Sequence, residues 1–372
     1  MRATRRQIGG SLVYTFPMND AMNNRAESGA ESYVVAVVGA TGLVGRTMIS
    51  VLEERNFPVR RLVPLAASAA GRSVTFRGEQ VLVAEATPEA FGGVDIALFS
   101  AGADASLVLA PEAAARGCAV VDNSSAWRMD PTVPLVVSQV NADALKGHRG
   151  IIANPNCSTM QLAPLLQALH AEAGLRRVIV ATYQAVSGAG AESVSDLIQQ
   201  RAAVVAGKKP VSTIYPHAVV LSPIPAIDLF LEDGSTKEEQ KVVRESRKIL
   251  RLPNLRISAT AVRIPVEVSH SEAVHVELER AVSPARARTV FAQTEGVFVQ
   301  DDPSTHTYPL AETSTGSDGI YVGRIRVDAS VEHGIAFWVV SDNVRKGAAT
   351  NAVQIAELLV RDQLLWGSAA RA

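Results

Sequence analysis

Hydrophobic positions along this chain change texture about halfway. Residues 33–38, YVVAVV, are apolar and largely β-branched without interruption, the pattern of a strand buried on both faces of a parallel sheet. A glycine-rich turn follows at once, Gly39-Ala40-Thr41-Gly42-Leu43-Val44-Gly45. Residues 46–55 then place Met48, Ile49, Val51 and Leu52 at helical intervals. Further strands are expected at 59–65, 95–100 and 119–122, the last running into Asn123-Ser124-Ser125. Beyond an amphipathic helix at 160–170 the alternation loosens. A strand at 178–186 meets Ser187-Gly188-Ala189-Gly190 and a helix at 192–205. Strand-like runs at 258–268, 272–278, 319–327 and 334–340 have little helix between them. Residues 347–365 carry Ala348, Val353, Ile355, Leu358 and Leu359 at helical spacing, a helix able to pack back on the first half. Residues 1–31 lack such a pattern and are expected to be a disordered or loosely attached extension.

Strand, glycine turn and helix in that order make a dinucleotide-binding start, in which backbone N–H groups and the helix N-terminus face a pyrophosphate. The expected fold class is therefore α/β: a Rossmann-type parallel-sheet cofactor domain over 32–156, completed by the helix at 347–366. An α+β catalytic and dimerisation domain with a mixed sheet would span 157–346. Ligands on such sheets sit beyond the carboxyl ends of the strands, where residues 100–102 and 123–125 fall. After the second strand, residues 66–72 read AASAAGR, with no carboxylate to hold a ribose 2′-hydroxyl, which leans towards NADP over NAD.

Composition narrows the field. At 372 residues, 47% apolar and 20% charged, the chain reads as a globular protein too long for one core. A net charge of −1 gives no reason to expect nucleic acid or an anionic membrane as partner, and no apolar run approaches a membrane span. Two cysteines, Cys118 and Cys157, make no disulfide framework and point to a reducing compartment. The first thirty residues begin with Arg2, Arg5 and Arg6 but lack the apolar segment of a secretory signal.

Cys118 starts an apolar strand and is expected to be a buried small residue. Cys157 instead lies in Asn154-Pro155-Asn156-Cys157-Ser158-Thr159, a polar turn at the start of a helix, where the dipole favours a nucleophilic thiolate. Thiol chemistry needs an acid/base partner. Of seven histidines, His270 stands out, in a turn between two strand-like runs, although periodicity alone does not select it. No histidine has a metal-ligand spacing with cysteine or carboxylate, so no metal is expected.

From Val34 to the C-terminal helix the chain resembles the aspartate-β-semialdehyde dehydrogenase family. The motifs stand in family order: GATGLVG at Gly39, VVDNSSAWRMD at Val120, NPNCST at Asn154, YQAVSGAG at Tyr183, EEQK at Glu238, RIPVEVSHSEAV at Arg263 and DNVRKGAATNAVQIAE at Asp342. The resemblance implies a cytoplasmic homodimer or dimer of dimers, in the pathway to lysine, threonine, methionine and diaminopimelate. It would reduce L-aspartyl 4-phosphate with NADPH through a thioester on Cys157. The same resemblance implies His270 as general acid/base, Gln184 positioning substrate and imidazole, and Asn156 as an oxyanion donor. Arg263 would take the substrate α-carboxylate, Glu238 its ammonium, and Arg128 and Lys241 the phosphate. Cofactor contacts are implied at Gly39, Thr41, Gly42, Leu43, Val44, Ser187, Gly188 and Asn343.

One departure concerns the second-strand loop. The family's LASxRSAG places an arginine at the NADP 2′-phosphate, whereas here Leu65-Ala66-Ala67-Ser68-Ala69-Ala70-Gly71 lacks it. Either Arg72, beside Ala69 and Ala70, replaces it, or preference shifts towards NAD. Three alternatives stand beside this reading: an N-acetyl-γ-glutamyl-phosphate reductase, a cysteine hydrolase built on Cys157 and His270, and an inactive cofactor-binding relative. Glu238 would lose its purpose on an acetylated substrate, and the glycine turn has none in a hydrolase.

Overall fold

The computed structural model describes residues 4–8, 11–15, 32–67 and 71–367. Strands β1 (Thr4–Ile8) and β2 (Ser11–Thr15) pair antiparallel with each other, apart from either large sheet. This ribbon lies inside the segment expected to be a disordered or loosely attached extension. The rest of residues 1–31 lies outside the described residues.

From Tyr33 the chain builds the first domain. In order come β3 (Tyr33–Val38), α1 (Leu43–Glu54), β4 (Val59–Ala66), the hairpin β5 (Ser73–Phe76) and β6 (Glu79–Leu82), and β7 (Ala84–Glu85). Then follow β8 (Ile96–Phe99), α2 (Ala103–Ala115), β9 (Ala119–Asp122) and β10 (Ile151–Ala153). The sheet runs β10-β9-β8-β3-β4-β7 with every neighbouring pair parallel. β3 is central and buried at all six positions, which explains its unbroken apolar run. Val35 and Val37 pack towards α1 on one face, while Val34, Ala36 and Val38 pack towards Leu109, Ala110 and Ala113 of α2 on the other.

The second domain begins with α3 (Cys157–Ala173), β11 (Leu175–Gln184), α4 (Ala191–Val205) and α5 (Lys237–Leu250). It continues through β12 (Arg256–Arg263), β13 (His270–Leu278), α6 (Pro284–Ala292), β14 (Val297–Val299), α7 (Ala311–Ser314), β15 (Ile320–Asp328) and β16 (Gly334–Ser341). Its sheet, β12-β11-β13-β16-β15-β14, is mixed: β11 with β12 and β14 with β15 are parallel, the remaining pairs antiparallel. Val178, Val180, Val274, Val276, Phe337 and Val339 face Leu162, Leu165, Leu166 and Leu169 of α3 in one core. The opposite face carries the half-buried Tyr183, His275 and Trp338 and the exposed Ile179.

A π-helical turn, Arg345–Thr350, precedes α8 (Asn351–Arg361), whose Val353, Ile355, Ala356 and Leu359 complete the α1 side of the first domain's core. The chain thus returns to its first domain, as the periodicity of 347–365 implies, but through a widened turn in place of a continuous α-helix. Two other boundaries differ from expectation. The strand expected over 258–268 ends at Arg263, because Val266 and Glu267 turn their carbonyls to the N–H groups of Val186 and Ser187. His270 opens β13 and does not lie in the preceding turn. Among the described residues no helix is long and apolar enough to cross a membrane.

Candidate active site

A cleft of about 1060 Å³ opens where the carboxyl ends of β8 and β9 face the second domain. Ser100, Gly102 and residues 123–125 line it from the first domain, and Cys157, Gln184 and Arg263 from the second.

Cys157 is the first residue of α3. The Asn156 side chain caps the helix, its Oδ1 accepting the N–H groups of Ser158 at 3.0 Å and Thr159 at 3.4 Å. Gly347, in the π-turn, backs the cysteine so closely that an added Cβ would lie 3.0 Å from Cys157 Cβ. The thiol meets the cleft but sits deep enough for desolvation to dominate. Burial, helped by the Glu238 carboxylate, pushes its pKa up to about 12 against the pull of Arg128, Arg263 and the Ser158 N–H. The shift runs opposite to the one the helix dipole alone would give, and it favours the protonated thiol. Cys118 is the buried residue expected, its Sγ directed at the carbonyls of Phe91 and Val94.

His270 is fully buried beneath Gly188, where an added Cβ would stand 3.2 Å from His270 Nε2 and 3.1 Å from Arg263 Nη1. Its Nδ1 accepts the Ala185 N–H at 3.0 Å, and burial with the nearby Arg263 charge holds its pKa well below the usual imidazole range. The ring is then neutral with its proton on Nε2, which makes it a hydrogen-bond donor at rest. Gln184 lies beside it, with the amide nitrogen 3.5 Å from Nε2, and donates to Glu238 Oε1 at 3.1 Å.

Glu238 gathers three donors: Asn156 Nδ2 at 2.8 Å, Gln184 Nε2, and Lys241 Nζ at 3.0 Å. Desolvation would raise its pKa, but the Lys241 charge and these bonds outweigh it and keep the carboxyl below the usual range. Asn156 is in the site, yet its oxygen serves as helix cap and its amide meets Glu238, so its role at rest is positional. Lys241 is also held by Asp228 at 2.8 Å.

Two arginines flank the cysteine. Arg128 donates from Nε to the Asn154 carbonyl at 2.9 Å, from Nη2 to the Asn123 carbonyl at 2.6 Å, and from Nη1 to Glu245 at 3.0 Å. Arg263 reaches the Ala185 carbonyl with Nη1 at 2.5 Å and stands over the Tyr215 ring at 5.8 Å. Its Nε is buried with no hydrogen bond, an orphaned charged donor that a carboxylate would satisfy.

The glycine turn suits a pyrophosphate. Gly39 has φ +82° and an added Cβ would meet the Ser100 carbonyl oxygen at 2.4 Å; one on Gly45 would meet the Gly39 oxygen at 2.1 Å. Gly42 caps α1 with no side-chain bond and no acid follows in the first turn, so the leading N–H groups are open to an anion. Val44, Ser187, Gly188 and Asn343 line the cleft itself, and Asn343 Oδ1 accepts Ser187 Oγ at 3.1 Å and the Ser269 N–H at 2.9 Å. Gly39, Thr41, Gly42 and Leu43 form the turn at its edge. Arg72 is exposed ahead of β5, outside the cleft lining, and Ala69 and Ala70 lie outside the described residues.

Sequence comparison matches residues 34–148 to the semialdehyde dehydrogenase NAD binding domain and residues 162–346 to the semialdehyde dehydrogenase dimerisation domain. The aspartate-semialdehyde dehydrogenase of Aquifex aeolicus is 52% identical over 338 residues, spanning 90% of this chain and 99% of that protein. The chain belongs to the aspartate-semialdehyde dehydrogenase family. The Bacillus subtilis aspartate-semialdehyde dehydrogenase is 46% identical over 89% of this chain and 98% of its own. Among solved structures, aspartate semialdehyde dehydrogenase II of Vibrio cholerae, complexed with ASA, superposes with a TM-score of 0.87 at 43% identity, covering 90% of this chain and 99% of that one.

A residue that the family motifs did not single out is Glu245. It is fully buried on α5, two helical turns after Glu238, with Oε1 on Arg128 and Oε2 accepting the Asn156 backbone N–H at 2.6 Å. The spacing was visible: Glu238, Lys241, Glu245 and Lys248 recur at three- and four-residue steps along one helix face.

Proposed function

We propose that the chain is a phosphorylating aspartate-semialdehyde dehydrogenase, interconverting L-aspartyl 4-phosphate and L-aspartate 4-semialdehyde through a thioester on Cys157. It acts in the pathway to lysine, threonine, methionine and diaminopimelate. The observation that carries this is one cleft in which Cys157 opens a helix between two fixed arginines, with His270 and Gln184 behind and an uncapped glycine turn at the rim.

In the reductive direction the Cys157 sulfur bonds to the acyl carbon as the carbon–oxygen bond to phosphate breaks, and the thiol proton leaves with the phosphate. A protonated thiol at rest is compatible with that balance, since the leaving phosphate is itself the proton acceptor. Arg128 holds the phosphate with the two N–H groups its structural bonds leave free. Arg263 takes the α-carboxylate on its bare Nε side. The glycine turn with Ser187, Gly188 and Asn343 would hold the family's nicotinamide cofactor, which would supply the hydride chemistry. The His270 Nε2–H donates to the oxygen on which negative charge develops, as a neutral imidazole can in a dry site. When the carbon–sulfur bond breaks, the sulfur takes up the one proton that the reductive direction consumes from solvent, passed on by His270. Lys241 sits on Glu238 where the substrate ammonium is expected, so the ammonium and phosphate roles of this pair compete for the same charges.

The cofactor proposed is NADP, because residues 66–72 offer no carboxylate to a ribose 2′-hydroxyl. The half-exposed sheet face with Tyr183 and Trp338 is proposed as the contact of a homodimer in the cytoplasm.

The test is reduction of NADP, and in parallel NAD, by aspartate semialdehyde with and without phosphate, against Cys157→Ser. Phosphate-dependent turnover favouring NADP is expected, falling on the order of 10³-fold or more in the variant. Absence of turnover with either cofactor overturns the assignment, and an NAD preference overturns the cofactor choice alone.

A further inference from the structure

We infer that Glu245 is a positioning residue for phosphate, acting through Arg128; this rests on the reading of Arg128 as the phosphate cation. Three acceptors fix the Arg128 guanidinium: the carbonyls of Asn154 and Asn123, and the Glu245 carboxylate. The carbonyls belong to the two loops that the fork spans, so they alone would let it follow either loop. Glu245 adds the anchor from the second domain, on a helix whose Lys248 Nζ also grips the carbonyls of Arg128 at 2.8 Å, Asp130 at 2.7 Å and Val133 at 2.9 Å. α5 therefore holds the phosphate arginine by its side chain and its backbone from consecutive turns.

The second carboxylate oxygen does different work. Glu245 Oε2 accepts the N–H of Asn156, the residue that caps the cysteine helix. One side chain thus sets the phosphate cation relative to the nucleophile that must attack the carbon bearing that phosphate. Both partners are donors, and only a carboxylate presents an acceptor to each; an amide in its place turns an NH₂ group onto either Arg128 or the Asn156 N–H. Glutamine is therefore close in shape and wrong in chemistry at this position. Arg263, the cation read for the substrate α-carboxylate, bonds the Ala185 carbonyl and not Glu245.

The experiment is steady-state kinetics of Glu245→Gln in the oxidative direction, varying phosphate and aspartate semialdehyde separately, with thermal unfolding alongside. A tenfold or greater rise in the phosphate KM, with the aspartate semialdehyde KM within threefold of wild type, is expected. Glu239→Gln is the comparison: Glu239 is buried on the same helix, but its carboxylate meets the backbone N–H groups of Thr236 and Ala261. It should lower the melting temperature and leave the ratio of the two KM values alone. If Glu245→Gln does not fold, Glu245→Asp, with both acceptors one methylene shorter, should show a smaller phosphate-selective rise. An unchanged or lower phosphate KM, or equal changes in both constants, overturns the inference. Wild type without phosphate-dependent turnover instead removes the functional reading beneath it.

Discussion

Cys157 shows how a single position can carry two opposed electrostatic influences. Its place at the start of α3 puts the helix dipole and the Ser158 N–H beside the sulfur, and Arg128 and Arg263 add positive charge. Desolvation and the Glu238 carboxylate nevertheless win, and the pKa stands near 12. Below that value the thiolate fraction rises tenfold per pH unit, so the iodoacetamide alkylation rate of ligand-free protein should climb log-linearly from pH 6 to 10. Cys157→Ser protein reports any background from Cys118. A plateau near pH 8 would show that the dipole prevails and that the resting group is a thiolate after all. Proximity to a helix start was legible in NPNCST. The depth of the sulfur was not, because Gly347, which closes over it, lies in a segment whose sequence neighbours say nothing of Cys157.

Among the elements, β13 places an acid where alternation alone predicts an apolar side chain. His270 and Glu272 share one face of the strand, directed at α3, with Val274, Val276 and Leu278 further along. Glu272 is fully buried and neither carboxyl oxygen forms a hydrogen bond. The Gln161 amide on α3 is adjacent and favours the ionised form slightly, at a geometry short of a hydrogen bond, but burial dominates and lifts the pKa to about 8. The folded protein thus retains a proton that the unfolded chain releases above about pH 4.5. Stability should fall as pH rises from there to about 8, by at most about 1.4 kcal/mol per unit. Glu272→Gln is neutral throughout, so its urea midpoint relative to wild type should rise across that interval; parallel profiles would mean that the carboxylate is ionised and paired. Strands β3, β8 and β9 were readable because burial at every position leaves almost only apolar residues, whereas the short β5, β6, β7 and β10 were not. α5 was harder: KEEQKVVRESRKIL is polar overall, and its buried glutamates look like solvated charge until their partners are known. The capping pair Thr236 and Glu239 was the local signal that a helix starts there. A 3.6-residue period also cannot distinguish the π-turn at Arg345–Thr350 from ordinary α-helix, and the second-domain sheet order depends on pairings that no local pattern encodes.

At the scale of the molecule, the cleft lies between domains and draws on both, so no single segment contains it. The first domain is itself discontinuous, since α8 supplies part of its core after the whole second domain has intervened. Asn351, at the head of that helix, donates to Asn154 at 2.6 Å and to the Val136 carbonyl at 2.9 Å, and the Asn351–Asn154 pair is 197 residues apart in sequence. Removal of residues 345–372 should leave apolar surface of β3 and α1 uncovered and abolish cofactor binding, measured by quenching of protein fluorescence with NADPH; retained binding would show that the first domain closes without its last helix. The same arrangement sets a clock during synthesis. At about 5–20 residues per second, a ribosome needs roughly 10–40 s to travel from Asn154 to Asn351. Throughout that interval the nascent parallel sheet waits with one face incompletely covered, so vectorial translation leaves the earliest-made domain among the last to finish and exposes it to chaperones before the nucleotide site can exist.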